Sequence, residues 1–351
     1  MADKFTYKQV KKEKNKLQYE VKTSKELFNE IYEEIYRKEA KGVKVAGFRP
    51  GMAPRAEIER KIASNVLNNT INKLLPDVTY EILLKEDLNP ISGIKYDLKK
   101  INEDSSIDYE FTVINTPEIN VEELSKIKVD SRIEDVKNEE IDMVIRNIIQ
   151  STLKEEDWKT EPKEGEEQKQ DFEITDEMVS KLGYEDEKTY EGLKIKVKET
   201  LERVKKEQSE NEYAAKVLEK AVKIVDFIVP EDLVEDEVNH REHHFVERVQ
   251  NLKLDVETYL KTQNKTLESL REEWRNEIKS NAAVDILTIN LAKQEKLIPT
   301  EEELEEEIEK IEDQVTKIKY KTDESLRDHM RTVMARNKGV KRIVDLTKEN
   351  K

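Results

Sequence analysis

Hydrophobic and polar residues alternate strictly where the chain first shows a pattern. Leu17, Tyr19 and Val21 fall on one side and Gln18, Glu20 and Lys22 on the other, the period of a strand with one buried face. The period then lengthens. Leu27, Ile31 and Ile35, with Phe28 and Tyr32 beside them, recur at helical spacing behind a Thr23/Glu26 capping box. The helix gives way at Gly42 to a segment that runs to Pro54, a residue tolerated in a first helical turn. Ile58 and Ile62 open a second helix. Leu67, Ile71, Leu74, Leu75, Val78 and Ile82 make a third apolar series, which Pro76 should kink. After Asn89-Pro90 the period returns to two. Ile94, Tyr96 and Leu98, then Ile107, Tyr109, Phe111 and Val113, flank the turn residues 102–106 and predict an antiparallel pair. Pro117 closes a small α+β domain.

From Val136 the period is almost continuously helical. Ile141, Val144, Ile145, Ile148, Ile149 and Leu153 form one stripe. Residues 154–170 are charged, with Trp158 their one large apolar residue, and read as a linker. Helices resume with Leu193, Val197, Leu201 and Val204, then Val217, Leu218, Ala221 and Val222. Pro230 opens another, carrying Leu233, Val234, Val238, Phe245 and Val249; Thr266 caps a long one, and Thr300 with Glu303 forms a capping box before Leu304 and Ile308. The expected fold is an α+β N-terminal domain (1–117) followed by a mostly α-helical, elongated body. Residues 118–153 connect the two, 154–170 are the linker, and 171–351 form the helical domain.

Composition narrows the function. The 351 residues hold 63 Lys+Arg against 79 Asp+Glu, a net charge of −16, which argues against DNA binding. No cysteine is present, so thiolate metal sites and cysteine nucleophiles are excluded. No apolar run could span a bilayer. The start, Met-Ala-Asp-Lys-Phe, lacks the apolar core of a signal peptide, so a reducing compartment is expected unless a leader has been removed. No P-loop, dinucleotide fingerprint or Gly-x-Ser-x-Gly elbow occurs. His240, His243 and His244 lie near Glu247 at helical spacing; we read them as a solvated face, and the acidic run Glu301–Glu309 likewise. No metal or cofactor is expected.

The unusual local feature is Gly47-Phe48-Arg49-Pro50-Gly51 between two amphipathic helices. The glycines permit positive φ and the proline fixes the turn, so the tip presents an aromatic ring and a guanidinium, the usual make-up of an interface anchor. Residues 1–60 carry 15 Lys+Arg and 10 Asp+Glu, a surplus of +5 within an acidic chain. Such asymmetry suits a basic end touching an anionic surface.

Gly-Phe-Arg-x-Gly-x-x-Pro in this setting resembles the ribosome-docking signature of the trigger factor family, the bacterial nascent-chain chaperones. The likeness continues through Leu17–Ile35, Asn89-Pro90-Ile91 and the strand Ile107–Val113. It extends to residues 171–186, Thr189-Tyr-Glu-Gly-Leu193 and Phe227-Ile-Val-Pro230-Glu-Asp-Leu, in the expected order. The resemblance implies an ATP-independent holdase in the bacterial cytoplasm. Its tip, Gly47, Phe48, Arg49, Pro50 and Gly51, would dock on large-subunit protein and rRNA at the tunnel exit. Its helical body would shield nascent or unfolded chains, with Met330, Val333 and Met334 as candidate contacts because methionine adapts to varied partners. A homodimer off the ribosome is a further expectation; membrane partners are not. The passage from Trp158 to Asp171 leaves no room for the prolyl-isomerase domain of the FK506-binding type that family members commonly carry there, so no enzymatic activity is expected. Pro50 and Met52 stand where many relatives have lysine. The helical body also resembles that of the SurA-type periplasmic chaperones, and the alternative is a ribosome-independent or client-dedicated holdase.

Overall fold

The alternating segments form a four-stranded antiparallel sheet in the order β1-β2-β4-β3. Its strands are β1 (Phe5–Glu13), β2 (Lys16–Thr23), β3 (Lys95–Ile101) and β4 (Ile107–Ile114). The computed structural model describes residues 4–49, 52–130, 134–158, 172–184 and 188–349. Leu17, Tyr19 and Val21 of β2 and Ile107, Tyr109, Phe111 and Val113 of β4 are buried on one face. The register pairs Tyr19 with Phe111, and their rings stack at 5.1 Å. Each such side chain contributes about 1.5–3 kcal/mol by leaving water. Strand β1 escapes the sequence pattern because a bulge between Gln9 and Lys11 shifts its register and breaks the alternation begun by Phe5 and Tyr7. Both outer strands, β1 and β3, carry a bulge and several lysines, devices that discourage edge-to-edge pairing.

Helices α1 (Lys25–Ala40) and α2 (Arg55–Lys85) cover the buried face. The cap of α1 is Ser24, whose Oγ accepts from the Leu27 N–H at 3.2 Å. The expected Thr23 is instead buried at the strand end, its hydroxyl accepting from the Ile107 N–H at 3.0 Å. The second and third apolar series are one 31-residue helix, with Pro76 inside it. Thr79 and Tyr109 meet through their hydroxyls at 3.1 Å beneath this helix, and burial pushes the Tyr109 phenol up. A short helix, α3 (Val121–Leu124), follows, its N-terminal amide at Glu122 capped by the Asn120 side chain at 3.1 Å.

The chain divides into two compact units, Met1–Ser125 with Ala221–Leu346, and Lys126–Lys220 with Thr347–Lys351. The second unit is built from α4 (Asn138–Thr152), α5 (Glu155–Trp158), α6 (Asp176–Lys181) and most of α7 (Tyr190–Val225). The two apolar series read over 193–204 and 217–222 are this one helix. Ile141, Ile145 and Ile149, one turn apart on α4, pack with Phe172, Val179, Leu193 and Val197. Trp158 lies 5.4 Å from Phe172, ring to ring, so the start of the expected linker is folded; residues 159–170 lie outside the described residues. The Tyr190 hydroxyl donates to Asp142 at 2.6 Å, and that carboxylate pushes the phenol up to about 12.

The rest of the first unit comprises α8 (Glu231–Asn251), α9 (Val256–Thr262), α10 (Leu267–Gln294), α11 (Glu301–Glu309), α12 (Gln314–Thr322) and most of α13 (Glu324–Lys348). Val234 and Val238 of α8 meet Ile278 and Ala283 of α10. Thr266 caps α10, and the Thr300/Glu303 box caps α11 with bonds of 3.2 and 2.9 Å. In this unit Asn15, at the β1–β2 turn, is buried against the segment before α8. Its side chain donates to the Asn115 and Ile228 carbonyls at 2.8 and 3.2 Å and accepts from the Ile228 N–H at 2.7 Å. Lys14 pairs with Asp226 beside it at 2.7 Å.

Candidate functional site

The loop between α1 and α2 begins where basic Arg37 and Lys38 favour the negative end of the α1 dipole. It ends at Pro54, whose carbonyl accepts from the Glu57 and Ile58 amides at 3.0 and 3.2 Å. Val43 and Val45 on one limb and Ala53 on the other pack against the core of sheet and helices. Between these anchors the Phe48 N–H donates to the Val45 carbonyl at 3.1 Å. Gly47, third in that turn, has φ +85°, the type II arrangement that excludes most side chains. No atom stands within 4 Å of where a Cβ would be, so glycine is required here for its backbone and not for space.

Phe48 is 47% exposed. Arg49 is exposed as well and forms no ion pair among the described residues. Gly47, Phe48 and Arg49 thus stand together at the tip; Pro50 and Gly51 lie outside the described residues. The base beneath the tip is stiff. Arg55 donates to both oxygens of Glu33 at 2.5 and 3.1 Å and to Glu59 at 2.6 Å, and its guanidinium lies 4.6 Å over the Tyr36 ring. The guanidinium holds the Glu33 carboxyl below its ordinary range. Lys73 grips both oxygens of Glu34 at 2.7 Å, and Lys61 donates to the Lys44 carbonyl at 2.9 Å. These contacts fasten α1 to α2, so the tip can offer its ring and its charge without first ordering the backbone.

Met330, Val333 and Met334 lie on α13. Val333 is 39% exposed, whereas both methionines are half-buried. The structure therefore opens only one of the three broadly to solvent. Sequence reasoning passed over apolar residues more exposed than these: Val315 and Ile318 on α12, a helix with no buried residue, and Leu252 and Leu254 in the turn between α8 and α9. The only available signal was a lysine-rich helix with two apolar residues three apart, too weak to separate exposure from packing.

The acidic run of α11 is neither bare nor a cation site. Arg327 bridges Glu301 and Glu305 at 2.8 and 2.7 Å, Arg331 reaches Glu301 at 2.5 Å, Lys338 grips Glu303 at 2.6 Å, and Glu309 receives Lys321. The histidines are exposed on α8. Nε2 of His240 and His244 are 3.1 Å apart, and Glu247 is 3.4 and 3.5 Å from His243 and His244. Among the described residues no group of three or more His, Asp or Glu is placed to hold a metal. None of their helices is long and apolar enough to cross a membrane.

Comparison with known proteins agrees across most of the chain. A family profile described as "Bacterial trigger factor protein (TF)" matches residues 5–148, and one described as its C-terminus matches residues 189–345. The trigger factor of Caldicellulosiruptor saccharolyticus is 23% identical, covering 95% of each chain. That of Clostridium kluyveri is 24% identical, covering 97% of this chain and 99% of the relative. The second alignment is 424 residues long against a chain of 351, so at least 73 of its positions face no residue here. A solved structure, described by promiscuous substrate recognition in folding and assembly by the trigger factor chaperone, matches with TM-score 0.58 at 18% identity. The match covers 99% of this chain and 100% of that one, and it supports the shared fold.

Proposed function

The chain belongs to the trigger factor family, and from that premise we propose that it is an ATP-independent holdase of the bacterial cytoplasm. It docks on the large ribosomal subunit at the tunnel exit through Gly47, Phe48, Arg49, Pro50 and Gly51. The observation that carries this is the exposed Phe48–Arg49 tip on a loop anchored at both limbs. Phe48 enters an apolar hollow, and Arg49 pairs with an anion on the ribosome. The N-terminal domain, residues 1–117, does the docking; the helical domain, residues 171–351, shields emerging or unfolded chains. Val333, flanked by Met330 and Met334, contributes to that shielding, together with the more exposed Val315 and Ile318. Weak apolar contacts of this kind let go without fuel, which suits a chain with no nucleotide-binding motif. Prolyl-isomerase activity is missing from this assignment. Its support is the number of alignment positions that face no residue here, at least 73, and the short span, residues 149–188, between the two profiles.

Co-sedimentation with bacterial ribosomes tests the docking. The intact chain should pellet with ribosomes, and a Phe48→Ala/Arg49→Ala double variant should stay in the supernatant. Equal pelleting of both, or of neither, would reject docking through this loop.

A further inference from the structure

His240 and His244 stand one turn apart on α8, both exposed. Helical spacing sets residues i and i+4 side by side and by itself leaves them a solvated face. The structure adds that the two rings converge. They meet edge to face at 4.4 Å between centroids, and their Nε2 atoms are 3.1 Å apart. In a neutral pair one Nε2 donates its proton and the other accepts. Glu247 lies 3.5 Å from Nδ1 of His244. Its charge favours the proton on that Nδ1, which leaves Nε2 of His244 as the bare lone pair.

A metal ion can take the place of the bridging proton. Two nitrogens about 2.0–2.1 Å from one ion, at an angle of about 90–109°, are about 2.8–3.4 Å apart. The Nε2 separation falls within that span, so the backbone need not move, and the His240 proton passes from Nε2 to Nδ1. The surroundings suit a cation. Arg241 is held by Glu277 at 2.8 Å and Glu242 by Arg271. The rest of the stretch 236–248 carries Asp236, Glu237 and Glu247 against Arg248, an anionic surplus that draws cations. Imidazole nitrogen selects zinc, copper and nickel, whereas magnesium and calcium prefer oxygen. We propose that His240 and His244 chelate one divalent transition-metal ion through their Nε2 atoms, with water in the remaining positions. Two protein ligands make a weaker, more exchangeable site than the three or four of a catalytic or structural zinc centre, and the described residues offer no larger group. The site belongs to the helical domain and does not depend on docking through the tip.

Isothermal titration calorimetry tests this on the full-length chain, stripped with a chelator and free of any added histidine tag. Zn²⁺ should bind saturably, and Mg²⁺ should not bind. His240→Ala and His244→Ala should each weaken Zn²⁺ binding at least about tenfold, because the second imidazole of a chelating pair acts at high effective concentration. His243→Ala should keep the affinity, since its ring lies 6.1 Å from that of His244 and takes no part in the pair. No Zn²⁺ binding by the unaltered chain, or equal affinity in His240→Ala and His244→Ala, would overturn the proposal. A loss in His243→Ala as large as in His240→Ala would overturn it too, by placing the ion elsewhere on the helix. All three histidines are exposed, so these variants remove no core packing, and circular dichroism of each checks that folding is unchanged.

Discussion

Gly339 is buried inside α13 where that helix meets α10. A Cβ built there would lie far closer to the Thr288 carbonyl oxygen than carbon and oxygen can approach. The obstacle is backbone and cannot rotate away, so the helices touch only because the side chain is a hydrogen atom. Gly339→Ala, which raises intrinsic helix propensity by about 1 kcal/mol, should nevertheless destabilise by about 1–3 kcal/mol through overpacking. Urea unfolding followed by circular dichroism would show the midpoint fall; a rise would mean that α13 shifts without strain. Thr23 and Ser24 teach a related lesson. Thr23, the cap expected from the sequence, does not serve because β4 claims its hydroxyl, a contact across 84 residues of chain, and Ser24 caps instead.

At the scale of elements, α11 is clasped by charge to α12 through Lys321 and to α13 through Arg327 and Arg331. Arg331 and Arg327 hold the Glu301 carboxyl below its ordinary range, and Lys321 does the same for Glu309. A carboxylate whose folded pKa lies below the unfolded one adds stability that is complete above about pH 4.3 and is lost as pH falls through the folded value. Thermal melts should therefore find Glu301→Gln/Glu309→Gln less stable than the unaltered chain near neutrality, with the difference closing in acid. A gap unchanged by pH would refute the clasp. Elements that the sequence displayed were those with unbroken period: β2, β4, α1, α4 and α10. It hid β1, because one bulge dephases the alternation, and it divided α2 and α7, each of which is one continuous helix. Arg55 and Glu33, which stiffen the loop base, left no local signal, since they lie 22 residues apart.

For the whole molecule, the holdase reading has a direct consequence. The purified chain should suppress aggregation of a chemically denatured client equally with and without ATP, and light scattering would measure it. A protease-coupled isomerisation assay on a prolyl peptide should show only the uncatalysed rate. Strict ATP dependence or clear isomerase turnover would count against the assignment.

What the amino-acid sequence determined by itself was local: the periods of strand and helix, the Thr266 and Thr300 caps, and the Gly47-Phe48-Arg49 tip. Each depends on residues within a few positions of one another. Tertiary structure alone decided exposure. Whether Phe48, Met52, Val315 or Val333 meets water depends on which distant residues cover it, and a helical stripe reads alike whether it is covered or bare. Packing also settled where the acidic run of α11 finds its cations, because ion pairs form between side chains that only folding brings within reach.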